Sequence, residues 1–349
     1  MARKRVIYQS EALFVGATGS AQTLSQINRV QSANYSFEIA RQDVNQFGQL
    51  AAIDRIIVEQ PTVSLDFSYY LNSGENENNL GLTVGSGLLT SALANILTGD
   101  VGTKNYYILV SPEGTDANID KVIATGQGKT IGLGNGFLSS YSVEAAVGGI
   151  PTVTVNAEAL NMRFYGAATG NIPTVNPVDG TSLVGTFSIP TPVTGAGFSA
   201  LRPGDVTVDI STSNAKGATI SDLKVQNATV SFDITRDPIQ RLGSKFAFTR
   251  EITFPLTITM SMDTVLGDIE AGNLADIVND DSASFDVSMT LNQPGSANRS
   301  VKYVIKGAKL DSQSFSSAIG DNKTVSLQFS SQVGGPTDTT RGIFIQGPA

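Results

Sequence analysis

The sequence predicts a mainly β protein made of two tandem copies of one antiparallel sandwich or barrel domain, each with one short flanking helix. Three observations carry this: a long internal repeat, an apolar period of two inside the repeated blocks, and clusters of Gly, Pro and Thr between them. Residues 30–48 read VQSANYSFEIARQDVNQFG and residues 225–243 read VQNATVSFDITRDPIQRLG, aligned without a gap at an offset of 195. A chain of 349 residues also exceeds the usual domain size of roughly 100 to 200 residues.

The repeat continues in order. At offset 195, TVSL at 62–65 faces TITM at 257–260; at offset 181, LANIL at 93–97 faces LADIV at 274–278. At offset 172, SYSVEAAVGGIPTVTV at 140–155 faces SQSFSSAIGDNKTVSL at 312–327, so the first copy carries 23 more residues between these blocks. The implied organisation is an N-terminal arm over 1–28, a first domain over 29–165 and a linker or insertion over 166–223. A second domain over 224–334 and a tail over 335–349 follow.

Within each block the alternation predicts strands with one buried face. Tyr35, Phe37 and Ile39 alternate with Ser36, Glu38 and Ala40, as Val230, Phe232 and Ile234 do with Ser231, Asp233 and Thr235. Val63, Leu65, Phe67 and Tyr69 repeat the pattern, matched by Ile258, Met260 and Met262, and Val153 and Val155 are matched by Val325, Leu327 and Phe329. One segment per copy has helical spacing: Leu88, Leu89, Ala92, Leu93, Ile96 and Leu97, and more briefly Ile269, Leu274, Ile277 and Val278. DVTVDIS before the second copy reads as a strand, and GIFIQG near the end reads as a terminal strand that adds to a neighbouring sheet.

Composition removes most chemistry. Without Cys there are no disulfides, thiolate nucleophiles or zinc-thiolate sites, and without His the usual general base and commonest metal ligand are gone. ADIVNDD places Asp276, Asp280 and Asp281 close together, but without the alternation and glycine of a calcium loop it reads as a solvated helix end. Gly132-Leu133-Gly134-Asn135-Gly136 lacks the GK[ST] ending of a phosphate loop and reads as a turn. No catalytic residue, metal ligand or cofactor is expected, and the chain is not expected to be an enzyme.

A net charge of -8 argues against gripping nucleic acid by neutralising phosphates. The one dense basic run, Arg3-Lys4-Arg5, reads as a solvated arm. No apolar run approaches the ~18 residues of a membrane span, and the start lacks the apolar core of a signal peptide, so synthesis in the cytosol is expected.

The non-core face of the strands is made of Ser, Thr, Asn, Gln, Asp and Glu, with no Lys or Arg in the segments above. Exposed strands usually carry cations too, partly to blunt edge pairing. A face without them fits a surface along which a polyanion passes without sticking, and it equally fits a plain solvated face.

Two strands, a polar turn segment such as ARQDVNQFGQ or TRDPIQRLGS, a sheet with a flanking helix and a closing pair around GGIPTVTV resemble the tail tube proteins of long-tailed bacteriophages. That resemblance implies strands that line a continuous β-barrel lumen, with two-domain chains closing trimeric, pseudo-hexameric rings that stack into the conduit for DNA ejection. Glu38, Asp66, Asp233 and Asp263 become candidates for the lumen. Loops over 41–55 and 236–250 become candidates for contact with the adjacent ring, through Arg41, Asp43, Gln46, Arg236 and Arg241. The implied partners are further copies of the chain, the tape measure, terminator and baseplate proteins, and passing DNA without specific binding. The implied place is the virion tail, reached from the host bacterial cytoplasm. A baseplate hub or distal tail ring with duplicated tube domains, or a β-rich coat or surface protein, are the competing readings.

Overall fold

A computed structural model describes residues 5–7, 10–18, 24–98, 102–113, 117, 129–165, 171–173, 186–188, 200–211, 224–243, 246–247, 249–265, 284–317 and 322–349. In chain order, β1 (Glu11–Ala17) and β2 (Ser25–Gln26) precede β3 (Val30–Glu38), which opens the first repeat. The hairpin of β4 (Arg41–Val44) and β5 (Asp54–Ile57) leads to β6 (Thr62–Tyr70), and helices α1 (Glu75–Asn79) and α2 (Ala94–Leu97) flank a two-residue β7 (Val84–Gly85). Next come β8 (Thr103–Val110), the long β9 (Lys129–Ala146), β10 (Thr152–Ala159) and β11 (Asn161–Tyr165), then the short pair β12 (Asn171–Pro173) and β13 (Thr186–Ser188). After β14 (Val206–Ser211), the second repeat comprises β15 (Lys224–Asp233), the hairpin of β16 (Arg236–Ile239) and β17 (Thr249–Ile252), β18 (Thr257–Val265) and β19 (Phe285–Asn292). It closes with the long β20 (Arg299–Ser316), β21 (Thr324–Gln332) and β22 (Gly342–Gln346).

The chain is mainly β, and sixteen strands join in one network whose main path runs β14-β19-β20-β21-β18-β15-β9-β10-β6-β3. Within it the same four-strand order occurs twice, as β20-β21-β18-β15 and as β9-β10-β6-β3. The repeated blocks also share register. Val30 pairs with Tyr69 and Val225 with Thr264, each followed by a one-residue bulge at Gln31 or Gln226. Each of those glutamines donates its side-chain amide to the carbonyl two residues earlier, at 3.0 Å to Arg29 and 3.1 Å to Lys224. A bulge keeps its place because it sets which residues face inward beyond it.

Two 18-residue strands set the architecture. The first half of β9 pairs with β8 and β11 and its second half with β10 and β15. Similarly, β20 passes from β19 and β22 to β21. A strand that leaves one set of neighbours for another must bend, and the glycines are where it does so. In β20 the bend is Gly307, at φ 62°, where a Cβ would sit 2.9 Å from the Arg341 side chain and 3.0 Å from the Thr340 carbonyl. In β9 it is the Gly132–Gly136 segment, which the sequence reads as a turn. Here it stays in the strand, with Asn135 at φ 54° held by a 2.9 Å bond from its amide to the Asn105 side chain.

The expected helix over residues 88–97 shrinks to Ala94–Leu97. Its upstream half is tied to the sheet instead: the Thr83 amide bonds the Ala92 carbonyl at 2.7 Å, and the Ala92 amide bonds the Ile343 carbonyl at 2.8 Å. Backbone groups committed to neighbouring strands cannot also close helical turns. A second helix, α1, lies where none was expected, and the matching segment with Ile269, Leu274, Ile277 and Val278 lies outside the described residues, as do Asp276, Asp280 and Asp281. DVTVDIS forms β14 against β19, and GIFIQ forms β22 against β20 and, in parallel, β7.

The core is one apolar cluster drawn from both repeats, including Phe67, Tyr69, Tyr141, Val230, Met260, Tyr303 and Phe329. The apolar face of β15 is buried as expected. That of β3 is not: Tyr35 is half-buried and Phe37 is 56% exposed. The two strands match in sequence, but among the described residues β15 lies between two strands while β3 has only β6 beside it.

Replacing Gly307 by Ala forces a side chain into a left-handed backbone and against the Thr340 carbonyl. A loss of about 1 to 3 kcal/mol is expected in urea unfolding at unchanged m-value.

Candidate functional site

One face of the eight strands from β3 to β20 is polar along its whole width. Across it runs a register row of hydroxyl residues, Ser32, Ser68, Thr154, Ser142, Ser231, Thr259 and Ser330, which ends on Lys309. Neighbouring hydroxyls bond across strands, Ser32 with Ser68 at 2.7 Å, Ser36 with Ser64 at 2.8 Å and Ser231 with Thr259 at 2.9 Å. These side chains satisfy one another, so the face presents few spare donors.

The candidate carboxylates Glu38, Asp66, Asp233 and Asp263 are all exposed and all belong to this face. The Asn34 side-chain amide donates to Asp66 at 2.7 Å and the Ser326 hydroxyl donates to Asp263 at 2.5 Å. Glu144 and Glu158 add two more acids, opposite Thr152 and Phe137. With low dielectric on one side only and water on the other, these acids give the face a negative potential.

The two repeats meet where β15 pairs with the second half of β9. At this seam Val143, Val230, Phe232 and Ile234 are buried, and the Tyr141 and Phe232 rings stack at 5.3 Å between centroids. The Ile234 amide donates to the Ser139 carbonyl at 2.7 Å and the Val147 amide to the Gln226 carbonyl at 2.8 Å. Among the described residues, two edges of the same kinds have no strand beside them: the outer edge of β3 and the second half of β20. Each shows an aromatic ring, with Phe37 56% and Phe315 51% exposed.

The segments expected to be outgoing loops are hairpin arms. Arg41, Asp43 and Gln46 are exposed on the first, where the Arg55 guanidinium bonds Asp43 at 2.6 Å and the Gln49 amide donates to the Gln46 carbonyl at 3.2 Å. Phe47 and Leu50 near its tip, and Leu242 near the tip of the second arm beside the exposed Arg241, are fully exposed.

The second arm is anchored onto the first repeat. Arg236 and Arg250 place their guanidiniums 4.8 and 4.7 Å from the centre of the Phe137 ring. A Cβ on Gly102 would lie 3.0 Å from the Arg236 guanidinium, so the glycine leaves the space this clamp uses. Burial, and then the neighbouring Arg236, pull the Arg250 guanidinium down to about 10 against the opposing field of Glu158. Arg236 therefore serves the seam inside the chain, whereas its counterpart Arg41 is exposed. Residues far apart in sequence make this clamp, and no local motif marks Phe137 or Arg250.

A second cluster with no sequence signal ties the repeats from within. The Glu77 carboxyl is fully enclosed and receives the hydroxyls of Tyr69 at 2.7 Å, Tyr141 at 3.0 Å and Tyr303 at 3.4 Å; the Tyr141 and Tyr303 hydroxyls are 2.8 Å apart. Burial raises the Glu77 carboxyl above its ordinary range, and the three phenols offset part of that rise. Among the described residues no group of three or more His, Cys, Asp or Glu could hold a metal, and no helix is long and apolar enough to cross a membrane.

No family model matches the sequence, and no curated protein matches it. Among solved structures, the chain is similar to a chain of the anti-feeding prophage baseplate, determined by cryo-EM with sixfold symmetrisation. That likeness covers 47% of this chain and 97% of the other, at 11% identity and a TM-score of 0.30.

Because the Glu77 carboxyl is raised in the folded state, its protonation favours folding: that contribution is fully present below the unfolded value of 4.5 and is lost as pH rises through the folded value. The stability of the native chain relative to Glu77→Gln should therefore increase as pH falls toward that value. Paired denaturation curves between about pH 4 and pH 8 check this, and a constant difference would exclude it. Phe137→Ala should cost about 3 to 5 kcal/mol by removing a buried ring together with both cation-π contacts.

Proposed function

We propose that this chain is a structural protein of the phage tail tube type: copies join head to tail into rings, and stacked rings form a conduit for DNA. The observation that carries this reading is the seam between the repeats. The chain already joins one four-strand unit to the next through β15 on β9, and it keeps an open β3 at one end and an open half of β20 at the other. Such edges are rows of unpaired backbone donors and acceptors, and a ring is the arrangement that leaves none.

Repeating the internal register gives the contact between copies. Ser231 against Ser142 becomes Ser36 against Ser314 of the next copy, and Val230 against Val143 becomes Tyr35 against Phe315. The exposed rings Phe37 and Phe315 then take the buried places of Phe232 and Val143. Because this contact is heterologous, it closes only at a fixed number of copies. Three copies supply six four-strand units, the pseudo-hexamer that the resemblance to two-domain tube chains implies.

The polar face supports the conduit role. Six exposed acids and a row of hydroxyl residues that meets a cation only at its end, on Lys309, give a polyanion little to displace its counterions over most of this face. The protein's part in transport is passive on this reading. The exposed hydrophobic tips of the two arms are where neighbouring rings stack.

The chain has no cysteine, so a Ser36→Cys, Ser314→Cys variant reports one contact without background. Oxidation of the full-length protein should yield a closed covalent trimer on non-reducing gels, while the off-register pair Ser36→Cys, Ser316→Cys should not. Negative-stain images of the unmodified chain should show tubes. Single rings that never stack would favour a hub or distal tail ring, and a persistent monomer would remove the proposal. Placing Lys at both Glu38 and Asp233 should slow DNA ejection at least several-fold with assembly intact; unchanged ejection would take this face out of the lumen.

A further inference from the structure

Resting on that head-to-tail reading, β11 is a further strand that calls for a partner. The register shared by the repeats extends past the sequence blocks: Leu13 pairs with Ile108 as Val208 pairs with Met289, and Met162 pairs with Leu133 as Ile343 pairs with Ile305. β11 is therefore the counterpart of β22, at the same offset of 181 that relates LANIL to LADIV. The two strands are not equally covered. Every residue of β22 from Gly342 to Ile345 is buried, whereas none from Asn161 to Phe164 is, and Phe164 is 63% exposed where Ile345 is 1% exposed.

What covers β22 comes from the other repeat. The crossover between β6 and β8 lays β7 along it in parallel, with Val84 beside Ile345. The Gly347 amide donates to the Gly85 carbonyl at 2.9 Å, and the Ala92 amide to the Ile343 carbonyl at 2.8 Å. Cover is thus lent across the seam, by the unit that supplies β9 to the unit that supplies β15. In the head-to-tail contact the next copy's second repeat supplies β20 to β3, so that repeat is the lender. Its crossover, residues 266–283, lies outside the described residues. Before LADIV the offset falls from 195 to 181, so this crossover has 14 residues fewer than its counterpart. The edge it meets is bulkier to match, with Phe164 in the place of Ile345.

We propose that β11 is a docking strand for a second copy of the chain: the crossover of the next copy lies along its outer edge and covers Phe164, as β7 covers Ile345 inside the chain. Strand addition of this kind satisfies an open backbone edge and buries the apolar side chain beside it. Each copy then holds its neighbour twice, through β3 on β20 and through β11 under the crossover.

Full-length rings closed covalently by Ser36→Cys, Ser314→Cys separate this contact from closure itself. With Phe164→p-benzoylphenylalanine in a mixture of isotope-light and isotope-heavy copies, irradiation should join residue 164 of one copy to a peptide within 266–283 of another. Amide exchange over residues 161–165 should slow at least about tenfold on going from monomer to ring, and Phe164→Asp should restore most of the monomer's rate. A cross-link within one copy, to any other segment or to nothing, or unchanged exchange of β11 in covalent rings, overturns the docking strand and leaves the ring reading intact. Failure of the cysteine pair to give a covalent trimer overturns the ring reading.

Discussion

The open edge of an antiparallel strand is the constraint on which this molecule turns. Every edge residue presents backbone donors or acceptors that need a partner, and between its two four-strand units the chain meets that need by laying β15 along β9. That pairing places two four-strand units in one sheet and, among the described residues, leaves the outer edge of β3 and the second half of β20 without a strand beside them. Burial follows from it. Phe232 is enclosed and Phe37 is exposed although the two strands are nearly the same sentence, because among the described residues only one of them has a neighbour on both sides.

What makes the internal pairing firm is a set of contacts that reach across it. Tyr303 of the second repeat joins Tyr69 and Tyr141 of the first around the enclosed Glu77 carboxyl, and Arg236 and Arg250 press onto Phe137. A bonded polar cluster such as the one around Glu77 fixes one geometry, since any shift strands a buried donor or acceptor at a cost of about 1 to 3 kcal/mol. The seam is accordingly a rigid joint. In the proposed head-to-tail assembly, its angle sets the angle at which the next copy adds.

The polar face works by omission. Hydroxyls and amides bond to each other across strands, the acids stand exposed, and cations appear at the margins, as with Lys309 at the end of the hydroxyl row. In the proposed assembly, the same sheet is adhesive at its edges and inert over its surface. Those two properties lie in orthogonal directions, one along the hydrogen bonds and one along the side chains.

The sequence by itself determined the mainly β class, the alternation along the repeated strands, the internal repeat and the lack of His and Cys. Alternation with period two is a local property, legible in YSFEIA and VSFDIT alike. It did not disclose which apolar face would be covered, because alternation records a face and not the presence of a neighbour. Glycines in GLGNG marked a backbone irregularity, but whether that is a turn or a bend within a long strand depended on β8, β10, β11 and β15 lying alongside. The helical spacing of Leu88 to Leu97 lost to strand contacts made by Ala92. Glu77, in the polar run NSGENENN, was enclosed by tyrosines from β6, β9 and β20, and the Phe137 clamp joined residues from both repeats. Long-range contacts of this sort carry no local period, so only the tertiary structure could decide them.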